Sequence, residues 1–337
     1  SLKTLDEATT GLVTVSSNAT SIAGKQADVL ACLQANNAAT PTIAGIGALN
    51  VTLDNSNGGS ATYAIADINA IAAQTTGTIT ASVTETEINT LIAADAIAES
   101  GHNLAITYAT TGGAATIDAA KLITLNGLTN GLISVTAAGA MSGTAADLKT
   151  VLVANVVAAS VAADTQITGL ENNAITLTGT TVAAADIITI DTATTSGIVT
   201  YAATTITGSA ADIAEVYRLD TGGVNTVVGT NAASAALVVT DTTIGAATAT
   251  AGTPVTASGV IALNALTTGV VTFTATTLTG NLADLTTVLD LSTAGAEVAG
   301  LNGADITMAA TAGALTAANV NTIAGKTTGT ITATVTE

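Results

Sequence analysis

The side chains able to carry acid–base, nucleophilic or metal chemistry are few and scattered. His102 is the only histidine and Cys32 the only cysteine. A Ser-His-Asp relay, a Cys-His pair, a thiolate cluster and an intrachain disulfide are therefore all out of reach. His102 stands in the polar run Glu99-Ser100-Gly101-His102-Asn103 and reads as a solvated loop residue. Cys32, beside Val29, Leu30 and Leu33, reads as a small buried hydrophobe on a helix.

The carboxylates are more regular. Asp28, Asp67, Asp147, Asp186, Asp212 and Asp284 each stand just before an aliphatic residue. Hard cations collect several oxygen ligands, so Asp28, Asp147, Asp212 and Asp284 are candidates for a Ca²⁺ ladder, the only cofactor the chain invites. The plainer reading is helix capping. In Thr144-Ala145-Ala146-Asp147 and Ser209-Ala210-Ala211-Asp212 a hydroxyl at the N-cap accepts from the N3 amide, and the N3 carboxylate reaches back toward the cap amide while meeting the positive end of the helix dipole. Gly259 and Asn319 replace the carboxylate in two copies, which a cap tolerates better than a metal ladder. No catalytic residue is expected.

Other motifs are weaker. Thr272/Thr274 and Thr332/Thr334 could form flat hydroxyl arrays of an ice-binding kind, but threonine's β propensity on a wet strand face accounts for them. Asn18-Ala19-Thr20 and Asn50-Val51-Thr52 fit the N-glycosylation pattern. Gly58-Gly59, Gly112-Gly113 and Gly222-Gly223 lack a following Lys-Thr/Ser and read as turns, not phosphate cradles.

The elements that carry these residues repeat. A Thr-Thr-Gly phrase or close variant, followed by an alternating β-branched run, occurs six times, with its glycine at Gly11, Gly77, Gly131, Gly197, Gly269 and Gly329. The intervals are 66, 54, 66, 72 and 60 residues, a mean near 64. In Val271, Phe273 against Thr272, Thr274 the apolar and hydroxyl faces alternate as in a half-buried strand. Each unit has two unequal halves, each ending in a helix of about two turns. The long half carries a second strand, as at Leu49–Leu53 or Leu104–Tyr108. Leu148, Val151, Leu152 and Ile213, Val216, Tyr217 have the spacing of an inward helix face. The marker glycine is expected to end a helix and turn into a strand with positive φ.

Composition fits stacked layers better than a deep core. Hydrophobic residues make up 48% of the 337, yet the only aromatics are Tyr63, Tyr108, Tyr201, Tyr217 and Phe273. Small aliphatic side chains fill thin layers that bury a strip against their neighbours. The expected fold is a repeat solenoid, stacked strand plus short-helix coils with parallel β-sheet (a β-solenoid or α/β solenoid), with about five repeats of ~64 residues. The whole chain forms one continuous array, with repeats near 9–74, 75–128, 129–194, 195–266 and 267–326, and 327–337 opening the next. Both termini fall mid-repeat without a capping repeat, which suggests a piece of a longer array or a subunit that stacks end to end.

With 24 acidic against 6 basic residues the formal charge is −18, which repels a phosphate backbone, so no nucleic-acid partner is expected. Apolar runs are all broken by Thr, Asn, Asp or Gly, short of the ~18 residues of a membrane span.

The phrases Asn321-Thr322-Ile323-Ala324-Gly325-Lys326-Thr327-Thr328-Gly329-Thr330-Ile331-Thr332-Ala333-Thr334-Val335-Thr336-Glu337 and Ile206-Thr207-Gly208-Ser209-Ala210-Ala211-Asp212-Ile213 resemble the threonine- and alanine-rich tandem repeats of giant bacterial, particularly cyanobacterial, cell-surface proteins. The resemblance covers essentially the whole chain. It implies an exported, non-catalytic structural protein of an extracellular filament, surface layer or cell-surface stalk, self-associating end to end or laterally. The alternative is a spacer in an adhesin or a viral receptor-binding fibre.

Overall fold

The computed structural model describes residues 1–54, 61–93, 97, 101–109, 116–136, 139–155, 167–194, 196–221, 226–241, 255–293, 297–309 and 315–335. The three glycine pairs, Glu99 and Ser100, Thr195 and the final Thr336-Glu337 lie outside them. The chain is an α/β protein built on parallel sheets, and its contacts divide it into two units, Ser1–Asn173 and Ala174–Glu337.

In the first unit, helix α1 (Leu2–Glu7) precedes strands β1 (Val13–Thr14) and β2 (Ser21–Gly24), helix α2 (Gln26–Asn37), strands β3 (Ile43–Ala44) and β4 (Asn50–Leu53), and helix α3 (Ile65–Ala72). Next come β5 (Ile79–Ser82), α4 (Ile88–Leu91), β6 (Asn103–Tyr108), β7 (Ile117–Asp118) and α5 (Ala119–Asn126). The unit closes with β8 (Ile133–Val135), β9 (Ala140–Gly143), α6 (Ala145–Asn155) and β10 (Ile167–Thr168). Strands β2, β4, β5, β6, β8 and β10 lie side by side in that order, β1 pairs with β3, and β7 with β9.

The second unit opens with β11 (Ala174–Leu177), β12 (Thr181–Ala183) and α7 (Ala184–Ala193). A full repeat follows: β13 (Val199–Tyr201), β14 (Thr205–Gly208), α8 (Ala210–Thr221), β15 (Val227–Gly229), β16 (Ala236–Val239), β17 (Val255–Thr256) and α9 (Ala257–Asn264). The next repeat runs β18 (Val271–Phe273), β19 (Thr277–Gly280), α10 (Leu282–Thr293), β20 (Val298–Ala299), β21 (Asp305–Met308) and α11 (Ala317–Ala324), before β22 (Ile331–Thr332).

Here the sheets are regular. β13 lies between β11 and β15. β12, β14, β16, β18 and β20 form a second sheet, and β17, β19, β21 and β22 a third. The strand that leads each repeat, β13, β18 or β22, thus belongs to a different sheet each time. Helices pack on their chain neighbours, α7 on α8, α9 on α10, α10 on α11.

The local causes are those of the sequence. Strands use Val, Ile, Thr and Leu, which favour the pleated backbone. Val271 and Phe273 are buried while Thr274 is exposed. On the helices Leu148, Val151 and Leu152, then Ile213, Val216 and Tyr217, then Leu285, Val288 and Leu289 face the core. Burial of each such side chain is worth about 1.5–3 kcal/mol. Exposed helix threonines such as Thr189 and Thr287 bond back to the carbonyls of Ala185 and Ala283, occupying hydroxyls that would otherwise compete with the helix ladder.

Two expectations need correction. Helices after the short half are longer than two turns, with 12 residues each in α2, α8 and α10, because their aliphatic spacing continues past the capping phrase. Among the described residues the repeats also hold three to five short strands, not two, with five in the run from β13 to β17. The additional ones, such as Val298–Ala299, are too short to show a period.

Candidate functional site

The most repeated local structure is the Thr-Thr-Gly corner. The first threonine is a backbone clamp. Thr129 is buried, its hydroxyl lies 2.9 Å from the Leu104 carbonyl, and it accepts from the Gly131 and Leu104 amides, each at 2.9 Å. Thr75 bonds the Gly47 carbonyl at 3.1 Å and accepts from the Gly77 amide at 3.0 Å. Thr267 bonds the Ala235 carbonyl at 2.7 Å and accepts from the Gly269 amide at 2.9 Å. Thr327 repeats the arrangement with Asn302 and Gly329. Each clamp ties a helix exit to a backbone 23–34 residues earlier.

The glycine is required by proximity. A Cβ would stand 2.0 Å from the Leu49 carbonyl oxygen at Gly77, 2.3 Å from that of Leu104 at Gly131, 2.4 Å from that of Ala235 at Gly269 and 2.0 Å from that of Ala304 at Gly329. Gly11 has only the Thr9 hydroxyl, at 3.6 Å. The expected positive φ is absent at these five markers and occurs elsewhere, at Gly45 (91°), Gly169 (88°) and Gly300 (88°). Those three form a second recurrent turn, aliphatic-x-Gly-aliphatic, visible in Ile43-Ala44-Gly45-Ile46, Ile167-Thr168-Gly169-Leu170 and Val298-Ala299-Gly300-Leu301. Gly197 is buried, and its carbonyl accepts from the Thr194 hydroxyl at 3.3 Å.

Directly after the marker glycine comes an exposed aliphatic residue: Leu12 (58%), Leu132 (46%), Ile198 (46%) or Val270 (36%). Its neighbour one strand back is Ala174 for Ile198 and Ala236 for Val270, by the register of the adjoining pairs. Where threonine follows the glycine, the neighbour is polar and bonded: the Thr78 amide donates to the Asn50 side chain at 3.1 Å and the Thr330 amide to Asp305 at 2.8 Å.

The aspartates act at helix starts. The Asp147 amide donates to the Thr144 hydroxyl (3.2 Å), which donates to the Asp147 carboxylate (2.8 Å). Ser209 and Asp212 do the same at 3.0 and 2.7 Å, as do Asn281 and Asp284 at 2.9 and 2.8 Å. The carboxylate thus meets the cap side chain and not the cap amide expected from the capping-box pattern, because Asp is one methylene shorter than Glu. Asp28 differs: it pairs with Lys3 at 3.1 Å and Lys25 at 3.5 Å, and the Lys3 bond holds its carboxyl below the usual range. Two helix starts receive a carboxylate from a later segment, Ile65 from Glu85 and Ala210 from Asp241. Where Gly259 and Asn319 stand in place of Asp, Thr256 and Thr316 supply the cap. Among the described residues no three His, Cys, Asp or Glu side chains gather as metal ligands would.

His102 is not the solvated residue expected from its polar neighbours. It is buried, and its Nδ1 accepts from the Ile79 amide at 3.2 Å. Its own carbonyl accepts from the Asn130 amide at 2.8 Å. The imidazole thus holds the start of β5, while the His102 carbonyl, which also accepts from the Thr129 hydroxyl at 3.1 Å, serves the Thr129 corner. Cys32 is buried on α2, where burial pushes its thiol pKa up and away from thiolate chemistry. Tyr201 is fully buried, its hydroxyl has no partner among the described residues, and burial raises its pKa. Asp191, near the end of α7, faces Thr226 just ahead of β15, and burial raises its carboxyl pKa. Asp6 with Thr42 and Asn264 with Glu297 make the matching bridges, at 3.2 and 2.9 Å.

These groups are dispersed along the chain, and His102 and the corner threonines are engaged in holding backbone. A groove of about 520 Å³ lies between α1, α2 and the edge of β2, lined among others by Ser1, Thr4, Ile22, Gly24, Asp28 and Cys32. No family model, curated protein or solved structure matches the chain.

Proposed function

We propose that this chain is a non-catalytic structural solenoid of an extracellular filament, surface layer or cell-surface stalk, associating with copies of itself. The observation that carries the reading is the clamp: Thr75, Thr129, Thr267 and Thr327 each tie a corner to the preceding layer's backbone, and the glycine two residues on lets the two backbones touch. Such a device fixes the stacking of one layer on another and offers no reactive group. The solenoid reading also draws on the strand order of the second unit. In the solenoid reading β12, β14, β16, β18 and β20 come from successive windings, and a full repeat of that unit adds two windings and part of a third, which accounts for β13, β18 and β22 lying in three different sheets.

The extracellular placement rests on the resemblance to bacterial surface repeats and on the scarcity of Lys and Arg, six in all, which leaves few sites for trypsin-like proteases. An acidic excess of this size keeps copies soluble except where they meet by complementary surfaces. Electron microscopy of the purified chain tests the proposal. Elongated particles joined at periodic contacts are expected, and dispersed single particles at every concentration would refute self-association.

A further inference from the structure

The first residue of each leading strand has an amide that needs an acceptor. In β1, β13 and β18 a backbone carbonyl supplies it: Val13 donates to Thr42, Val199 to Thr226 and Val271 to Glu297, each at 2.8 Å. These acceptors stand just before the short strands β3, β15 and β20, which pair with the three leading strands. The 54-residue repeat is joined differently. Its leading strand β5 lies between β4 and β6 and pairs directly with β6, Thr80 opposite Asn103 and Ser82 opposite Ala105.

By that register the carbonyl due to the Ile79 amide is that of Gly101. Gly101 has a φ of 93°, in the left-handed region, and its carbonyl accepts from the Asn130 side chain at 3.1 Å. The buried imidazole of His102 fills the place, its Nδ1 accepting from the Ile79 amide at 3.2 Å. A backbone amide can only donate, so Nδ1 must keep its lone pair, and the ring is neutral with its proton on Nε2. At the equivalent place the other corners have Gly47, Ala233 and Asn302, whose carbonyls meet Thr75, Thr267 and Thr327 as that of His102 meets Thr129. None of those three side chains titrates. A carbonyl acceptor is indifferent to pH, whereas an imidazole changes charge close to neutrality.

We propose that the pairing of β5 with β6 is an acid-sensitive joint: a proton taken up at Nδ1 of His102 breaks the bond to Ile79 and frees the start of β5, while the carbonyl-closed joints at Val13, Val199 and Val271 hold. The proposal is independent of self-association. β4, β5, β6 and the Thr129–Gly131 corner carry no charged side chain, and Tyr108 at the end of β6 is the one among them that titrates. Around them, Asp54 follows β4, Asp67 on α3 is exposed, and Glu85 accepts from the Ile65 amide. Lys121 donates to Asn89, and Glu87 and Asp118 act on Tyr108. The sign follows from the bond. The unfolded chain binds a proton at about pH 6.5 that the closed joint excludes, so the joint is at full strength above that value and weakens as pH falls below it. Burial adds to the effect, because it disfavours the charged ring. His102 is the only histidine, so no second imidazole shares the signal.

Hydrogen exchange on the full chain, corrected for the intrinsic rate at each pH, tests the joint with fragments that separate Ile79, Val199 and Val271. From about pH 7.5 to about pH 5.5 the protection of Ile79 is expected to fall about tenfold, the ratio set by histidine's ordinary value. Val199 and Val271 are expected to keep theirs. His102→Gln offers a neutral carbonyl oxygen in place of Nδ1 and is expected to abolish the pH dependence at Ile79. A second measurement needs no variant: in chain carrying isotopically labelled histidine, the nitrogen resonances of the single ring are expected to show a bare Nδ1 and a protonated Nε2 at about pH 7.5. A protonated Nδ1 at that pH overturns the proposal, as does a loss at Ile79 no greater than at Val199 and Val271. The same loss persisting in folded His102→Gln assigns it to another group and overturns the proposal too.

Discussion

Tyr201 occupies the space that a side chain at Gly229 would need. The two residues stand opposite each other on β13 and β15, and a Cβ at Gly229 would lie 2.4 Å from the tyrosine hydroxyl oxygen and 2.7 Å from the Ala232 methyl. The ring is accommodated by absence on the neighbouring strand, with Leu177 opposite on the other side. Gly229→Ala is expected to destabilise by about 2–3 kcal/mol, the usual cost of overpacking a filled core, read as a loss in urea midpoint at unchanged m-value. Tyr201→Phe keeps the ring and removes a buried hydroxyl that has no partner among the described residues. It is expected to leave stability unchanged or raise it by about 1 kcal/mol.

The marker glycines give an internally controlled series. Gly131→Ala and Gly269→Ala drive a methyl into the Leu104 and Ala235 carbonyls, which requires the backbones to part, and each is expected to cost about 3 kcal/mol or more. Gly11→Ala meets only a side-chain hydroxyl at 3.6 Å and is expected to be neutral or slightly stabilising through the unfolded state. Thermal unfolding of the three variants checks the order; equal losses would remove the close-approach account.

Thr129→Val preserves shape and removes the clamp. The Gly131 and Leu104 amides, both donors to the threonine hydroxyl, lose their acceptor inside the protein. The expected loss is about 2 kcal/mol or more, while Thr129→Ser recovers most of it. Hydrogen exchange at Gly131 and Leu104 should quicken in the valine variant and not in the serine one.

Asp191 supplies a pH dependence with a definite sign. Burial raises its folded-state pKa above the unfolded value, so the fold favours the neutral acid. Its contribution is complete below the ordinary carboxylate range, about pH 4, and is lost as pH rises through the folded pKa. Asp191→Asn is therefore expected to raise the melting temperature near pH 7 and to lose that advantage at about pH 3. Melting curves at the two pH values decide it.

Much of the architecture was legible because it repeats. Thr-Thr-Gly stands at the close-approach corners of Gly77, Gly131, Gly269 and Gly329, and the alternation in Val271-Thr272-Phe273 matches the buried positions of Val271 and Phe273. The glycine's role was misassigned because a positive φ and a close approach leave the same residue in a sequence; only the distance from Gly131 to Leu104 separates them. The turns at Gly45, Gly169 and Gly300 went unread although aliphatic-x-Gly-aliphatic recurs, since the strands before them are two residues long and show no period. His102 was misread for a different reason. Its polar neighbours describe the chain locally, while its burial is imposed by β5 and the Thr129 corner, remote in sequence. The aspartate caps were recognisable from spacing, but their bonding to the cap side chain depended on carboxylate reach.

The change of sheet from one leading strand to the next gives equivalent residues of the second unit different neighbours. Ile198 and Val270 are equivalent exposed residues, yet one precedes a strand flanked by β11 and β15 and the other a strand flanked by β16 and β20. The two side chains therefore border different sheets, so the surroundings of one are not a copy of the surroundings of the other.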